Sequence, residues 1–324
     1  MFNIFLIGCI AKTTDSSFDP ANQQWRSVIE DDERGAWMSI WQAPEGEIWI
    51  VGGQPEEAKI LKCSHTRCDM DSFEEMELPQ GTPLLNWVHG TSNVDVWVGG
   101  LQGTLLHWNG VDWEDYSQPI EEAIWGIYAL SSDEVYAVGG TSRWGGTEAV
   151  VFSKSTDGFV SIPLPTELED LPNLFKVSHD GDKFWLVGQQ GALLQCETEC
   201  VPIPTGITAD LITISNQGNR LHVVGGRGTG IYFLIEDGVL GDIQQVPAGM
   251  NGVDAQNDSV FMVGERGYAS LLEHGTEQEL PSITLDVLHA AMISDEGLGY
   301  AVGGNLFTSD PFFHGIVLTY QVEP

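Results

Sequence analysis

Two pairs of closely spaced cysteines are the residues of this chain whose types and spacing most directly suggest chemistry. Cys63 and Cys68 lie in "ILKCSHTRCDM" (60–70), and Cys196 and Cys200 lie in "ALLQCETECVP" (192–202). Thiol pairs of this kind serve as metal ligands, redox centres or disulfides. Which of these roles applies depends on where each pair falls in the fold.

Arginines in three glycine-rich segments form a second candidate site. Arg143, Arg227 and Arg266 occur in "VGGTSRWGG", "VGGRGTG" and "VGERGYA", and Trp144 follows Arg143. Guanidinium groups beside an indole suit a carboxylate, an acidic peptide or a sugar. The alternative is three separate surface arginines in local ion pairs. Glutamines hold related positions elsewhere: Gln102, Gln189 and Gln190.

Metal and cofactor chemistry have weaker support. The acidic segment 69–77 in "CDMDSFEEMEL" is interpreted as a solvated outer strand, with a Ca²⁺ site as the alternative. The histidines are scattered, and we expect His89, His179 and His289 at strand ends or in a channel. "GGRGTG" matches a dinucleotide fingerprint in letters only, because no helix follows it. We therefore expect no cofactor.

Composition favours a β-sheet protein whose partner is not a nucleic acid. The 324 residues are 42% hydrophobic and 19% charged, and they include 38 glycines. This mixture suits short strands joined by tight turns. The formal net charge of −34 repels phosphate backbones and anionic membranes.

The N-terminal segment predicts export. "LIGC", ending at Cys9, resembles the bacterial lipobox, in which the cysteine becomes lipid-modified. The preceding apolar segment is short and carries no basic residue. We expect residues 1–22 to be a signal remnant and flexible tether, which places the protein in the periplasm or on the outer surface of a bacterium, with Cys9 as its only attachment to the membrane. The alternative is a frayed terminus with an ordinary thiol.

A repeat runs along the remaining chain. Short apolar segments end in an aromatic-type residue followed three positions later by glycine, as in "EIWIVGG", "EVYAVGG" and "SVFMVGE". Seven such glycines recur 37 to 49 residues apart. This period is typical of a four-stranded propeller blade, with strands A to D from the inside outwards. The pattern predicts an all-β, seven-bladed β-propeller over residues 23–324 as one domain.

The ring is predicted to close through its N-terminal strand. The last unit contains segments for strands A, B and C, but none for strand D. Residues 22–30 ("NQQWRSVIE") precede the first strand A and look like an unpaired strand D. Since an open propeller would leave sheet edges bare, we expect residues 22–30 to pair with 314–322.

The repeats resemble those of secreted bacterial propellers reading "DVWxVGxxGxxxxWxGxxW". Blade two carries this pattern most completely, as "DVWVGGLQGTLLHWNGVDW". The architecture is also similar to photosystem II assembly factor propellers and to sialidase-like and sortilin-like propellers. The resemblance implies the fold, and the assembly-factor group implies an arginine-rich binding face. "SKSTDGFVS", with Ser155, Asp157 and Gly158, is a degenerate trace of the structural Asp box of sialidase-like propellers.

Comparison between blades favours disulfides at the cysteine pairs. Trp108 and Trp113 of blade two have the same separation as Cys63 and Cys68, so we expect the cysteines to flank the C–D hairpin turn. Residues facing each other across a hairpin meet the short separation that a disulfide needs. We expect Cys63–Cys68 and Cys196–Cys200, since the two pairs lie too far apart for one ion. Cys63, His65 and Cys68 alone would be an incomplete ligand set.

These patterns favour a non-catalytic scaffold, monomeric, that binds a protein or glycan through the face formed by its B–C turns. The alternatives are a hydrolase or metal-binding propeller using the central channel, and a purely structural cell-surface component. No arginine falls in a strand A, where a sialidase-type mechanism would need a cluster. The strands A are instead rich in apolar and aromatic residues, which favours binding: Trp41, Trp87, Trp125, Phe175 and Ile214.

Overall fold

The computed structural model describes residues 25–65, 68–143, 145–156, 158–306 and 313–321. Within these ranges the chain forms seven separate antiparallel sheets. They are the blades of a β-propeller, so the predicted all-β, seven-bladed fold is confirmed. Cys9, the predicted tether 1–22, Trp144 and Asp157 lie outside the described residues.

The strands are numbered in chain order. Blade one contains β2 (Ala36–Gln42), β3 (Ile48–Gln54), β4 (Glu57–Cys63) and β5 (Glu74–Glu75). Blade two contains β6 (Leu85–Ser92), β7 (Asp95–Gly100), β8 (Leu105–Trp108) and β9 (Trp113–Asp115). Blade three contains β10 (Ala123–Ser131), β11 (Glu134–Gly140), β12 (Val150–Ser155) and β13 (Gly158–Ser161). Blade four contains β14 (Leu174–His179), β15 (Phe184–Gly188), β16 (Leu193–Cys196) and β17 (Cys200–Pro202).

In blade five the outermost strand is divided into two pieces that both pair with the third strand. This blade contains β18 (Leu211–Gln217), β19 (Arg220–Arg227), β20 (Thr229–Glu236), β21 (Val239–Leu240) and β22 (Gln244–Val246). Blade six contains β23 (Met250–Gln256), β24 (Ser259–Gly264), β25 (Ala269–Glu273) and β26 (Thr276–Glu279). Blade seven contains β27 (Val287–Ile293), β28 (Leu298–Asn305), β29 (His314–Gln321) and β1 (Trp25–Asp31). Short 3₁₀ turns occur at Met70–Ser72, Thr166–Leu168, Gln189–Gly191 and Glu265–Gly267.

The repeated aromatic position fills the space between neighbouring blades. Trp185 of blade four, for example, packs with Leu211 and Ile214 of blade five. Burying a large ring removes a large apolar area from water. All seven members of the set are buried: Trp49, Trp97, Tyr136, Trp185, His222, Phe261 and Tyr300.

The repeated glycine allows strand B to approach the start of strand A in the same blade. A Cβ atom at Gly139 would lie 2.0 Å from the carbonyl oxygen of Ala123, and one at Gly264 would lie 2.0 Å from that of Gly249. No side chain fits at that distance. The same clash, at 2.1 to 2.4 Å, would occur at the other five glycines of the repeat: Gly52, Gly100, Gly188, Gly225 and Gly303.

Polar side chains of the inner strands join successive blades. The Asn86 amide donates to the carbonyl oxygen of Ile124 (3.1 Å), and the Asn251 amide donates to that of Leu288 (3.3 Å). The backbone N–H of Asp295 in blade seven donates to Gln42 of blade one (3.0 Å). The first two bonds pair the amide N–H groups of inner-strand asparagines, and all three link neighbouring blades.

The predicted closure of the ring is confirmed. Strand β1 pairs antiparallel with β29, from Trp25 opposite Tyr320 to Asp31 opposite Gly315. The Trp25 ring also lies 6.0 Å from that of Phe261 in blade six. The N-terminal strand therefore completes blade seven and covers the edge of β29.

Both predicted disulfides are present. Cys196 and Cys200 lie directly opposite each other across the β16–β17 hairpin, with their Cα atoms 4.1 Å apart. Cys63 ends β4 and bonds to Cys68 at a Cα separation of 6.3 Å.

The expectation that Cys68 occupies a strand position beside a hairpin turn is wrong. Strand β5 pairs with β4 only at Glu74 and Glu75, so Cys68 lies in a longer connection before it. Cys68 is buried, and its backbone N–H donates to the Tyr300 hydroxyl of blade seven (3.1 Å). The disulfide thus ties this connection to β4, and the Tyr300 hydrogen bond ties it to the neighbouring blade.

Candidate functional site

One side chain from every blade enters the channel because each strand A contains a β-bulge. In all seven blades, the pairing of strand A with strand B shifts by one residue near the start of strand A. A bulge leaves one residue unpaired and redirects its side chain. The unpaired residues form what we call the bulge ring: Met38, Asn86, Trp125, Phe175, Ile212, Asn251 and His289.

All seven residues of the bulge ring line one cavity of about 600 Å³, here called the upper cavity. Residues of the B–C turns line it as well, so it opens on the face that the sequence assigned to binding. The structure brings three of the predicted site residues to this cavity: Arg143, Gln189 and Arg227. Gln102 and Arg266 are not among the residues that line it.

Gln102 and Arg266 lie at turn tips with left-handed backbone conformations (φ 55° and 56°). In blade six the cavity is lined by Glu265 instead of its neighbour Arg266. One residue of difference within a tight turn is enough to point a side chain elsewhere. Gln190 has the same conformation (φ 58°), and there the preceding Gln189 faces the cavity.

The charges at the mouth of the upper cavity are mixed. The guanidinium of Arg227 is largely exposed and lies 3.1 Å from the Asp210 carboxylate. This agrees, for Arg227, with the alternative that the arginines form local surface ion pairs. The carboxylates of Glu265 and Asp286 also line the cavity. The mouth is therefore not uniformly basic, and it can orient a ligand that carries both charge and apolar surface.

Lys176 and His289 are the titratable groups deepest in the upper cavity. Burial lowers the pKa of the Lys176 ammonium from 10.5 to about 7. Desolvation likewise lowers the pKa of His289 to about 4, so its imidazole is neutral at pH 7. Lys176 was not predicted as a site residue. The sequence feature that could have indicated it is a lysine between apolar residues in an inner strand, "LFKVSH".

A second cavity, of about 290 Å³, lies at the other end of the seven strands A. Asp254 lines it together with the exposed Asp295, and Asp254 was not predicted as a site residue. Its carboxylate accepts hydrogen bonds from the Ser215 hydroxyl (3.0 Å) and the Ile293 backbone N–H (2.8 Å). Desolvation raises its pKa to about 6. In the same cavity the His89 ring stacks on Tyr128 at 4.3 Å.

No group of three or more His, Cys, Asp or Glu side chains arranged to hold a metal occurs in the described ranges. In the acidic segment, Asp69 and Asp71 are exposed, and Glu75 pairs with Lys59 at 2.9 Å. In the part of the chain that the structure describes, no helix is long and apolar enough to cross a membrane.

The fold is similar to that of several solved propellers. Two are described as "YCF48 bound to D1 peptide" (TM-score 0.65, 14% identity, 93% of this chain and 98% of that chain) and "YCF48 from Cyanidioschyzon merolae" (TM-score 0.64, 14% identity, 92% and 98%). A third is the WD40 β-propeller domain of Doa1 (TM-score 0.65, 10% identity, 92% and 98%). No protein-family model and no curated protein matches the chain. At these identities the likeness establishes the seven-bladed β-propeller fold and nothing finer.

Proposed function

We propose that this propeller is a non-catalytic scaffold that binds a protein segment at the face of its B–C turns. The observation that carries the proposal is the upper cavity, in which seven bulges direct one side chain each to a single opening rimmed by Arg143, Gln189 and Arg227. Concave sites with apolar walls and a few polar groups are the usual form of binding sites. One similar propeller was solved with a peptide bound, which supports a protein partner.

The experiment uses a displayed peptide library selected against the purified protein. Peptides that bind the wild type should lose at least about tenfold in affinity with Arg143→Glu/Arg227→Glu, because reversed charges at the rim oppose an acidic ligand. Arg266→Glu is the matched control, since Arg266 lies on a B–C turn but does not line the cavity. Selected peptides that bind the double variant as tightly as the wild type would refute the proposal.

A glycan is the second candidate ligand, favoured by the half-buried aromatic side chains Trp125 and Phe175 in the cavity. Aromatic faces stack on apolar ring surfaces, and the amides of Asn86 and Asn251 add hydrogen-bonding groups. A glycan array screened with the wild type and with Trp125→Ala separates this candidate from the first one. Retained glycan binding by the variant would argue against stacking on Trp125.

We further propose that the protein is exported, anchored by lipid at Cys9 and monomeric. The lipobox-like "LIGC" and the two disulfides support export, because such bonds persist outside the reducing cytosol. The mass of the mature N-terminus should show a lipidated Cys9, and Cys9→Ser should release the protein from membranes. Free thiols at the four remaining cysteines of the native protein would contradict export.

A further inference from the structure

We propose that the inner end of the upper cavity binds an apolar carboxylate, whose charged group pairs with the Lys176 ammonium while the bulge ring holds its hydrocarbon part. This inference rests on the proposed function in that both use the upper cavity. It concerns a different part of the site, because Lys176 lies inside the channel and the arginines lie at its rim.

Lys176 stands apart from the other lysines that the structure describes. Each of the others lies within 3.3 Å of a carboxylate: Lys59, Lys62, Lys154 and Lys183. Within the described ranges, no carboxylate oxygen lies within 4.0 Å of the Lys176 ammonium. This is notable in a chain with 47 acidic residues.

The contacts of Lys176 are neutral and hold its ammonium group at the inner end of the cavity. The ammonium donates a hydrogen bond to the carbonyl oxygen of Trp125 and lies 4.1 Å from the centre of the Trp87 ring. Trp87 lines the second cavity, so this pair separates the two ends of the channel. A buried ammonium without a counterion is costly, and an anion bound from solution would offset part of that cost.

The walls around Lys176 indicate what else the ligand carries. Met38, Leu84, Phe175 and Ile212 line the upper cavity and suit a hydrocarbon chain or an apolar side chain. Two buried amide oxygens in the same cavity, those of Asn86 and Asn173, have no hydrogen-bond partner among the described residues. They can accept from an N–H group. The carboxylate can therefore come from a free monocarboxylic acid or from the C-terminus of a polypeptide.

Few charged groups face Lys176 directly. Four strands pack against β14, and three of them (β10, β15 and β18) carry no acidic or basic side chain, with the Tyr128 phenol of β10 as their only titratable group. The fourth strand, β11, carries Glu134 and Tyr136. Strand β6 supplies Trp87, and its His89 lies at the other end of the channel. Across the upper cavity lie the remaining titratable groups: His289, Asp286, Glu265, Arg143 and Arg227.

Binding should therefore depend on pH through Lys176. Its pKa of about 7 in the free protein will rise when a carboxylate binds, so binding takes up a proton above pH 7. Affinity for a carboxylate should be greatest between about pH 5.5 and 7, and at least about fourfold weaker at pH 8.5 than at pH 6.5.

The test is titration calorimetry of the purified protein with hexanoate, with neutral hexanamide, and with an acetylated Ala-Ala-Leu peptide that has either a free or an amidated C-terminus. We expect saturable binding of the free acids and at least about tenfold weaker binding of their amides. Hexanoate and the free peptide stand for the two sources, and tighter binding of one identifies the source. Absence of saturable binding for both at millimolar concentration and pH 6.5 would overturn the inference.

Lys176→Met should lose carboxylate binding and its pH dependence, and Lys154→Met is the matched control. Lys154 is equally buried but pairs with Asp133 outside the cavity, so its variant should bind as the wild type does. Unchanged hexanoate affinity in Lys176→Met would refute the inference. The rim variant Arg143→Glu/Arg227→Glu separates the two proposals, because loss of selected peptides without loss of hexanoate leaves the Lys176 site intact.

Discussion

Lys176 illustrates how burial at a single residue couples stability to pH. Burial lowers the pKa of its ammonium from 10.5 to about 7, so the folded chain binds fewer protons than the unfolded chain between these values. The free energy of unfolding is therefore reduced most below pH 7, and the loss fades as pH rises towards 10.5.

We predict that Lys176→Met raises the free energy of unfolding by roughly 2–4 kcal/mol at pH 6.5, because methionine fills a similar volume without a buried charge. The gain should shrink to about 1.4 kcal/mol or less at pH 9.5, because Lys176 is then neutral in the folded chain and the pH lies only one unit below the unfolded-state pKa of 10.5. Denaturant titrations at the two pH values measure the difference. A gain that is equal at both would show that the ammonium is solvated in the folded protein.

At the scale of single elements, the glycine that ends strand B is a steric requirement of the blade. Gly139→Ala should lower the free energy of unfolding by at least about 2–3 kcal/mol, because its Cβ would overlap the Ala123 carbonyl oxygen. Gly218→Ala is the control. It lies in open space with φ 66° and should cost only about 1 kcal/mol. Thermal melts of both variants test this, and equal losses would contradict the steric explanation.

Strand β1 is the element on which closure of the ring depends. Removing Trp25–Asp31 exposes the edge of β29. It also removes the ring contacts that Trp25 makes with Phe261 and Tyr320. We expect the melting temperature to fall by more than about 10 °C, with aggregation through the bare edge. Deleting only residues 1–22 should leave it nearly unchanged. A chain without β1 that melts at the wild-type temperature would show that the ring does not need this closure.

At the scale of the whole molecule, most of the architecture could be predicted from the sequence. The alternation of apolar residues, the buried aromatic and the obligatory glycine are local requirements that every blade repeats, so their period counts the blades. The missing fourth strand of the last unit likewise indicated its replacement by the N-terminal strand. The Cys196–Cys200 bond followed because both cysteines lie on one hairpin.

The candidate site was predicted only in part, because its geometry depends on shifts of one residue. Alternation with a period of two cannot locate a bulge, and a bulge in each strand A decides that Asn86, Asn251 and His289 line the channel. A similar shift within a turn places Glu265 at the cavity in place of Arg266.

The sequence by itself determined the fold class, the number of blades and both disulfide pairs, since each follows from short-range patterns. It also determined the manner of closure, because the repeat leaves one strand missing in the last unit and one unpaired strand before the first. Only the tertiary structure decided which side chains meet in the upper cavity, that Lys176 lies there with no carboxylate beside it among the described residues, and that Cys68 packs against blade seven. The physical reason is that burial and electrostatic environment are set by neighbouring blades, which lie about 40 residues or more away along the chain.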